Sequence, residues 1–142
     1  MAARGRPVGF GRNKSFYCLD WAVWDAMDRT RMVRAMVEVK GRSYAVNRGD
    51  TVSVSWMKVL VGLALEGAEG IPFIVLFAAT NGLFRVRPID VERVIRFGGR
   101  ASRVADDGTL YRTEDDNEPM CHMAAVECEL IQPGNFYAGD VE

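Results

Sequence analysis

A chain of 142 residues, 49% hydrophobic and 26% charged, has the composition of a globular protein and room for one core rather than two. A wholly disordered chain is thereby excluded, and so is a membrane span: the densest apolar stretch, residues 52–65, is broken by Ser53, Ser55, Lys58 and Gly62 and is too short. The formal net charge of −1 hides an imbalance, because residues 1–58 carry eleven Lys/Arg against five Asp/Glu and residues 59–142 seven against fourteen. A basic half of this kind either meets a polyanion or pairs with the acidic half inside one domain.

In chain order, residues 1–15 hold Arg4, Arg6, Arg12 and Lys14 without an acid, punctuated by Gly5, Gly9 and Gly11. With so little apolar surface to offset the entropy of ordering, they read as a flexible basic arm ahead of a domain spanning 16–142. No apolar signal segment opens the chain, and Cys18, Cys121 and Cys128 form no even-numbered disulfide framework, so a cytoplasmic protein is expected.

Residues 16–24 are aromatic and β-branched enough for a strand, Asp28-Arg29-Thr30 suits a turn, and 32–40 alternate as a second strand. One face of that strand carries Val33, Ala35, Val37 and Val39, the other Met32, Arg34, Met36, Glu38 and Lys40. After a polar loop, Ser53 or Ser55 is placed to cap a helix running to about Glu69, with Gly70 and Pro72 ending it. Trp56, Val59, Leu60, Leu63 and Ala64 fall on one side of that helix. The apolar run 72–79 reads as a strand buried on both faces, and Asn81-Gly82 turns it into a returning strand. A further strand is expected over 91–97, ended by Gly98-Gly99, then an acidic exposed loop over 106–118 and a last apolar stretch over 121–131.

The pattern that carries chemistry is Asp20 followed by Glu38-Val39-Lys40. Glu-x-Lys on a strand puts both side chains on one face. With a three-residue hairpin loop, Asp20 falls directly across from Glu38 on that same face, at the rim of the sheet. Two carboxylates about 5 Å apart across strands repel unless a cation lies between them. Hard oxygen ligands suit Mg²⁺, which polarises a phosphodiester, and a nearby lysine can stabilise the charge that develops. The same Glu-x-Lys occurs by chance as an exposed cross-strand pair.

The wider pattern separates these readings. Leu19-Asp20-Trp21, then Glu38-Val39-Lys40-Gly41-Arg42, then Ser55, Lys58 and Gly62, then Gly70-Ile71-Pro72-Phe73, and finally Phe97-Gly98-Gly99-Arg100 with Glu118-Pro119 follow one another in order. Over residues 17–119 the chain resembles a group of small phage and prophage proteins with the PD-(D/E)XK, restriction-endonuclease-like fold. The resemblance implies an α/β fold with a central mixed β-sheet, a β-hairpin carrying the site and a packed helix. It also implies divalent-metal-dependent phosphodiester hydrolysis, with Mg²⁺ or Mn²⁺ as cofactor and nucleic acid, DNA first, as partner. Asp20 and Glu38 carry over as metal ligands, Lys40 as the catalytic lysine, and Lys58 as a helix residue facing the site. Arg4, Arg6, Arg12, Lys14 and Arg42 are the cations expected on nucleic acid. Two-strand cleavage would favour a homodimer, the host cytoplasm is the expected location, and no membrane association is expected.

Two features depart from the group. Leu19 stands where a proline often precedes the aspartate, and the opening helix, which often brings a further acid, is replaced by the Gly/Arg-rich residues before the first strand. The competing readings are a catalytically silent descendant that binds nucleic acid or protein, and a virion or structural protein that inherits the fold. Cys121-His122 with Cys128 matches no standard zinc spacing and fits buried cysteines better. Trp21, Trp24 and Tyr44 fit a core better than a base-stacking platform, and Gly98-Gly99-Arg100 suits a tight turn as well as a phosphate site.

Overall fold

The computed structural model describes residues 8–12, 19–99, 103–104, 106–111 and 117–138. In chain order they form β1 (Val8–Arg12), β2 (Trp21–Asp25), β3 (Val33–Gly41), β4 (Thr51–Ser55), α1 (Trp56–Glu69), β5 (Phe73–Ala78) and β6 (Gly82–Val86). A 3₁₀ turn at Pro88–Asp90 leads to β7 (Val94–Gly99), β8 (Arg103–Val104), β9 (Leu110–Tyr111) and β10 (Asn117–Ala124), and a second turn at Ala125–Glu127 leads to β11 (Glu129–Pro133).

The strands make a six-stranded sheet ordered β1-β2-β3-β5-β6-β11, a three-stranded sheet ordered β4-β10-β7, and a two-stranded β8-β9 ribbon. The large sheet is mixed: β3 and β5 are parallel, the other pairs antiparallel. The mixed α/β architecture expected from the sequence is present, but divided between two sheets rather than gathered into one.

The division begins at β4, a short strand that the sequence reading does not separate from the helix that follows it. Val52 and Val54 alternate with Thr51, Ser53 and Ser55, and the two valines are 0% and 1% exposed. That period of two lets them face Met123 and Cys121 of β10 across an antiparallel ladder, and both of those side chains are buried as well. The helix starts only at Trp56. Ser55 holds the N-cap position, yet its hydroxyl makes no capping bond and donates instead to Glu118 Oε2 at 3.1 Å. Gly70 closes the helix in the left-handed conformation, φ 67°, its N–H donating to the Glu66 carbonyl.

The buried stripe of α1 runs through Val59 and Gly62, while Leu60 is 43% exposed and Ala64 lies on the exposed side. The face expected from apolar spacing is therefore rotated, because the helix docks by backbone rather than by bulk. Gly62 lets it close onto the ring of Phe73, which would overlap any Cβ at that position. Glu66 then fastens the end of α1 to the large sheet, accepting the Phe73 N–H at 3.1 Å and pairing with Arg87. Between the helix and the two sheets lie Leu19, Val52, Val54, Val59, Phe73, Val75, Phe77 and Met123, all at most 1% exposed. On the other face of the large sheet Trp21, Val37, Val39 and Leu76 line an apolar depression.

Residues 8–12, read from sequence as part of a flexible arm, are the edge strand β1, paired with β2 from Val8↔Asp25 to Arg12↔Trp21. The reason is local. Gly9 and Gly11 leave β1 without side chains on one face, and the indole of Trp24 lies across that bare strip. The opposite edge strand, β11, is interrupted by an irregularity between Leu130 and Gln132 and ends at Pro133. Residues 91–93, expected to open a strand, follow the 3₁₀ turn, and β7 runs on through Gly98 and Gly99, which pair with Glu118 and Asn117.

Two outcomes follow from this packing. Gly62→Ala would gain about 1 kcal/mol in an exposed helix. Here overlap with the buried Phe73 ring should reverse the sign and cost about 1–3 kcal/mol, read as a lower urea midpoint; an unchanged or higher midpoint would mean that the ring moves aside. Deleting residues 2–12 should lower the melting temperature by several degrees, because it strips β2 of a ladder and Trp24 of its seat. An unchanged melting temperature would make β1 energetically idle.

Candidate active site

The hairpin β2–β3 sets the site. Trp21↔Val37, Ala22↔Met36 and Val23↔Ala35 pair in the register expected from sequence, and Asp20, one residue before β2, comes up beside Glu38. The turn that was expected to set this register is different: the strands are joined by residues 26–32 rather than three, with Asp28 accepting from the N–H and hydroxyl of Thr30. A register shift between Val23 and Trp24 absorbs the difference, leaving the pairing near the site unchanged. Asp20 Oδ2 accepts the backbone N–H of Val39 at 3.0 Å, which ties the aspartate to the strand that carries Glu38 and Lys40.

Glu38 is the one charged residue, among those described, in the fully buried class, at 0% exposure. It is therefore not at an open rim. Its strand lies between β2 and β5, pairing with Val75, and the helix covers that face. An isolated buried carboxylate is costly. Here Lys40 Nζ and Lys58 Nζ both reach Glu38 Oε1, at 2.7 and 2.6 Å, each from a side chain that is 26% exposed. Lys40 comes from two residues along the strand and Lys58 from the first turn of α1. The other oxygen, Oε2, is buried and has no partner among the described residues. Leaving it so costs about 1–3 kcal/mol, the kind of deficit that native proteins carry mainly where function requires it.

The electrostatics of Lys58 follow from this placement. Burial alone pushes its pKa down, but the hydrogen bond to Glu38 and the fields of Glu38 and Asp20 outweigh it, so the pKa lies above the ordinary lysine value of 10.5. Lys58 stays an ammonium ion throughout the neutral range.

Asp20, Glu38, Lys40 and Lys58 are thus brought together. Arg42, two residues beyond Lys40 of β3, bonds the carbonyls of Gly41 and Ser53 and lies 5.5 Å from the Phe77 ring centroid, so two of its donors serve the junction between the two sheets. Arg4, Arg6 and Lys14 lie outside the described residues, and of Arg12 only the backbone, in β1, is described. The zinc alternative does not assemble: Cys121 faces the core, and His122 projects from the opposite face of β10. Burial, with Glu127 adding to it, pushes the Cys128 thiol up to about 11. Ser55 and Glu118, which the sequence offers as a cap candidate and as landmarks of the resemblance but not as site residues, are joined by a hydrogen bond that ties β10 to the start of α1, three residues before Lys58.

Two carboxylates, one with a buried unpartnered oxygen, are hard donors that fit a small divalent cation. Among the described residues no group of three or more His, Cys, Asp or Glu is poised to hold a metal, so such an ion would complete its shell with water or substrate oxygens.

With this geometry in place, the comparison with known families is decisive: residues 1–130 match the family described as "Phage putative PDDEXK endonuclease". The chain belongs to this family. Nucleases of the PD-(D/E)XK type generally use divalent metals, and the endonuclease family implies a nucleic-acid substrate. No curated protein and no solved structure matches the chain. Among the described residues no helix is long and apolar enough to cross a membrane.

The buried charge cluster generates a stability test. Because the folded-state pKa of Lys58 is raised, its contribution is fully present below the unfolded lysine value of 10.5 and is lost as pH rises through the higher folded value. Glu38→Gln removes the anion that both lysines share and should lower stability at neutral pH. The difference from wild type should stay level from about pH 7 to pH 10 and shrink above that. Urea titrations across this range check it, and a difference that grows with alkalinity would contradict the assignment.

Proposed function

We propose that this protein is a divalent-metal-dependent endonuclease with a restriction-endonuclease-like fold, hydrolysing phosphodiester bonds in DNA. The observation that carries this reading is Glu38, fully buried, held at one oxygen by Lys40 and Lys58 and left without a partner among the described residues at the other. Glu66, which ties α1 to the large sheet, also keeps a buried oxygen without a partner among the described residues; what sets Glu38 apart is that two lysines converge on it beside Asp20.

Asp20 and Glu38 would hold Mg²⁺ or Mn²⁺. Bound there, the cation would polarise the scissile phosphate and make water a better nucleophile. The remaining work falls to the chain itself. The Val39 N–H fixes Asp20 Oδ2, so the aspartate keeps its orientation without a bound substrate. Lys40, partly exposed and charged, is placed to stabilise the negative charge that develops on the phosphate oxygens or to orient the attacking water. Lys58 neutralises Glu38 from the helix side. The basic residues Arg4, Arg6, Arg12 and Lys14 would contact the phosphate backbone beside the site. Such an enzyme acts in the host cytoplasm, and cutting both strands favours a homodimer.

A second reading, a catalytically silent relative that binds nucleic acid or protein, is favoured by the absence of a third acidic ligand among the described residues. Soaking crystals with Mn²⁺ separates the two, since an intact site places a cation between Asp20 and Glu38. In solution, DNA should be cut with Mg²⁺ or Mn²⁺ and not after chelation. Asp20→Asn, Glu38→Gln and Lys40→Ala should each lower the rate by about 10²-fold or more. Equal cutting by all three variants would assign the activity to a contaminant or to another site.

A further inference from the structure

The four charged groups of the site cancel. Asp20 and Glu38 contribute two negative charges and Lys40 and Lys58 two positive ones, with Glu38 at 0% exposure and both lysines at 26%. Both ammonium groups share one oxygen, Glu38 Oε1, although Lys40 alone would neutralise that carboxylate. Lys58 is in this sense surplus to the pair that lies on the strand. It comes from another element, α1, and it also feels the field of Asp20.

A divalent cation arriving alone would therefore add two positive charges to a neutral, largely buried cluster, against two ammonium groups already held there. Like-charge repulsion in such surroundings, at an effective dielectric of about 20, changes an affinity by about tenfold or more. A nucleic-acid phosphate returns negative charge to the same place, so each ligand improves the site for the other. Such coupling is reciprocal.

Resting on the metal-dependent reading above, we propose that Lys58 is a positioning residue that makes cation capture depend on the arrival of a nucleic-acid phosphate. It holds Oε1 of Glu38, leaving Oε2 for the cation, and its charge keeps cation affinity low until phosphate is present.

The test is Mn²⁺ binding to the full chain, followed by paramagnetic resonance of free Mn²⁺, with and without a short DNA duplex made resistant to cleavage by phosphorothioate linkages. Wild type should bind Mn²⁺ weakly alone and about tenfold more tightly with the duplex. Lys58→Gln keeps a hydrogen-bond donor and loses the charge. It should bind Mn²⁺ alone about tenfold more tightly than wild type and gain little from the duplex. Lys58→Met, a second uncharged variant, should do the same, and Lys58→Arg, which keeps the charge, should behave like wild type. Near-ultraviolet circular dichroism selects the folded variants. A merely structural role for Lys58 would weaken binding in every variant in proportion to lost stability and leave the duplex effect unchanged; that result overturns the proposal. So does Mn²⁺ binding by the uncharged variants that is no tighter than wild type. If wild type and every variant fail to bind Mn²⁺ with or without the duplex, the metal-dependent reading itself falls, and the proposal with it.

Discussion

The contact on which the site depends is the shared hold of Lys40 and Lys58 on Glu38. It joins β3, in the middle of the large sheet, to the first turn of α1, through a carboxylate that is fully buried and two lysines that stay partly exposed. Replacing a buried ion pair by apolar side chains of similar volume is often neutral or stabilising. A charge cluster kept in the core is therefore poor economy for stability alone. Its retention here makes sense if the helix must be registered against the strand so that a carboxylate and two ammonium groups converge.

Everything that positions α1 serves that convergence. The helix approaches the sheet closely only because Gly62 has no side chain to keep it off Phe73. Its far end is pinned by Glu66, through the Phe73 N–H and Arg87. Its near end starts where β4 stops, and β4 is held from two sides, by the ladder to β10 and by Arg42 reaching the Ser53 carbonyl. The second sheet thus acts as a bracket that sets where Lys58 begins its turn.

How much of this could be read from the residues depended on the range of the interaction involved. The Asp20–Glu38 neighbourhood was legible because side-chain alternation and antiparallel pairing are local rules, and a bulge at Trp24 compensated for a misjudged turn. The run 72–79 was legible as a strand, but not as one buried mainly on one face: Phe73, Val75 and Phe77 are buried, while Ile74 and Leu76 on the other face are only half-buried. The Val52–Val54 alternation was legible too, but the apolar residues that follow made it look helical. What stayed hidden was set by partners distant in sequence. The buried face of α1 is chosen by Phe73, not by its own apolar spacing, and Leu60 is left outside. The order in β1 comes from Trp24, since a Gly-x-Gly stretch looks floppy until an aromatic ring is known to lie on it. The burial of Glu38, and with it the unpartnered oxygen, needed the position of Lys58 in space.

The interruption in β11 has a consequence for assembly. A regular outer strand offers an unbroken row of amides and carbonyls onto which another chain can zip. At this margin the row is broken between Leu130 and Gln132 and terminated by Pro133, which has no amide hydrogen to donate. Both features make it unfavourable for a second copy to prolong the large sheet from this side, which guards the molecule against fibrous growth there.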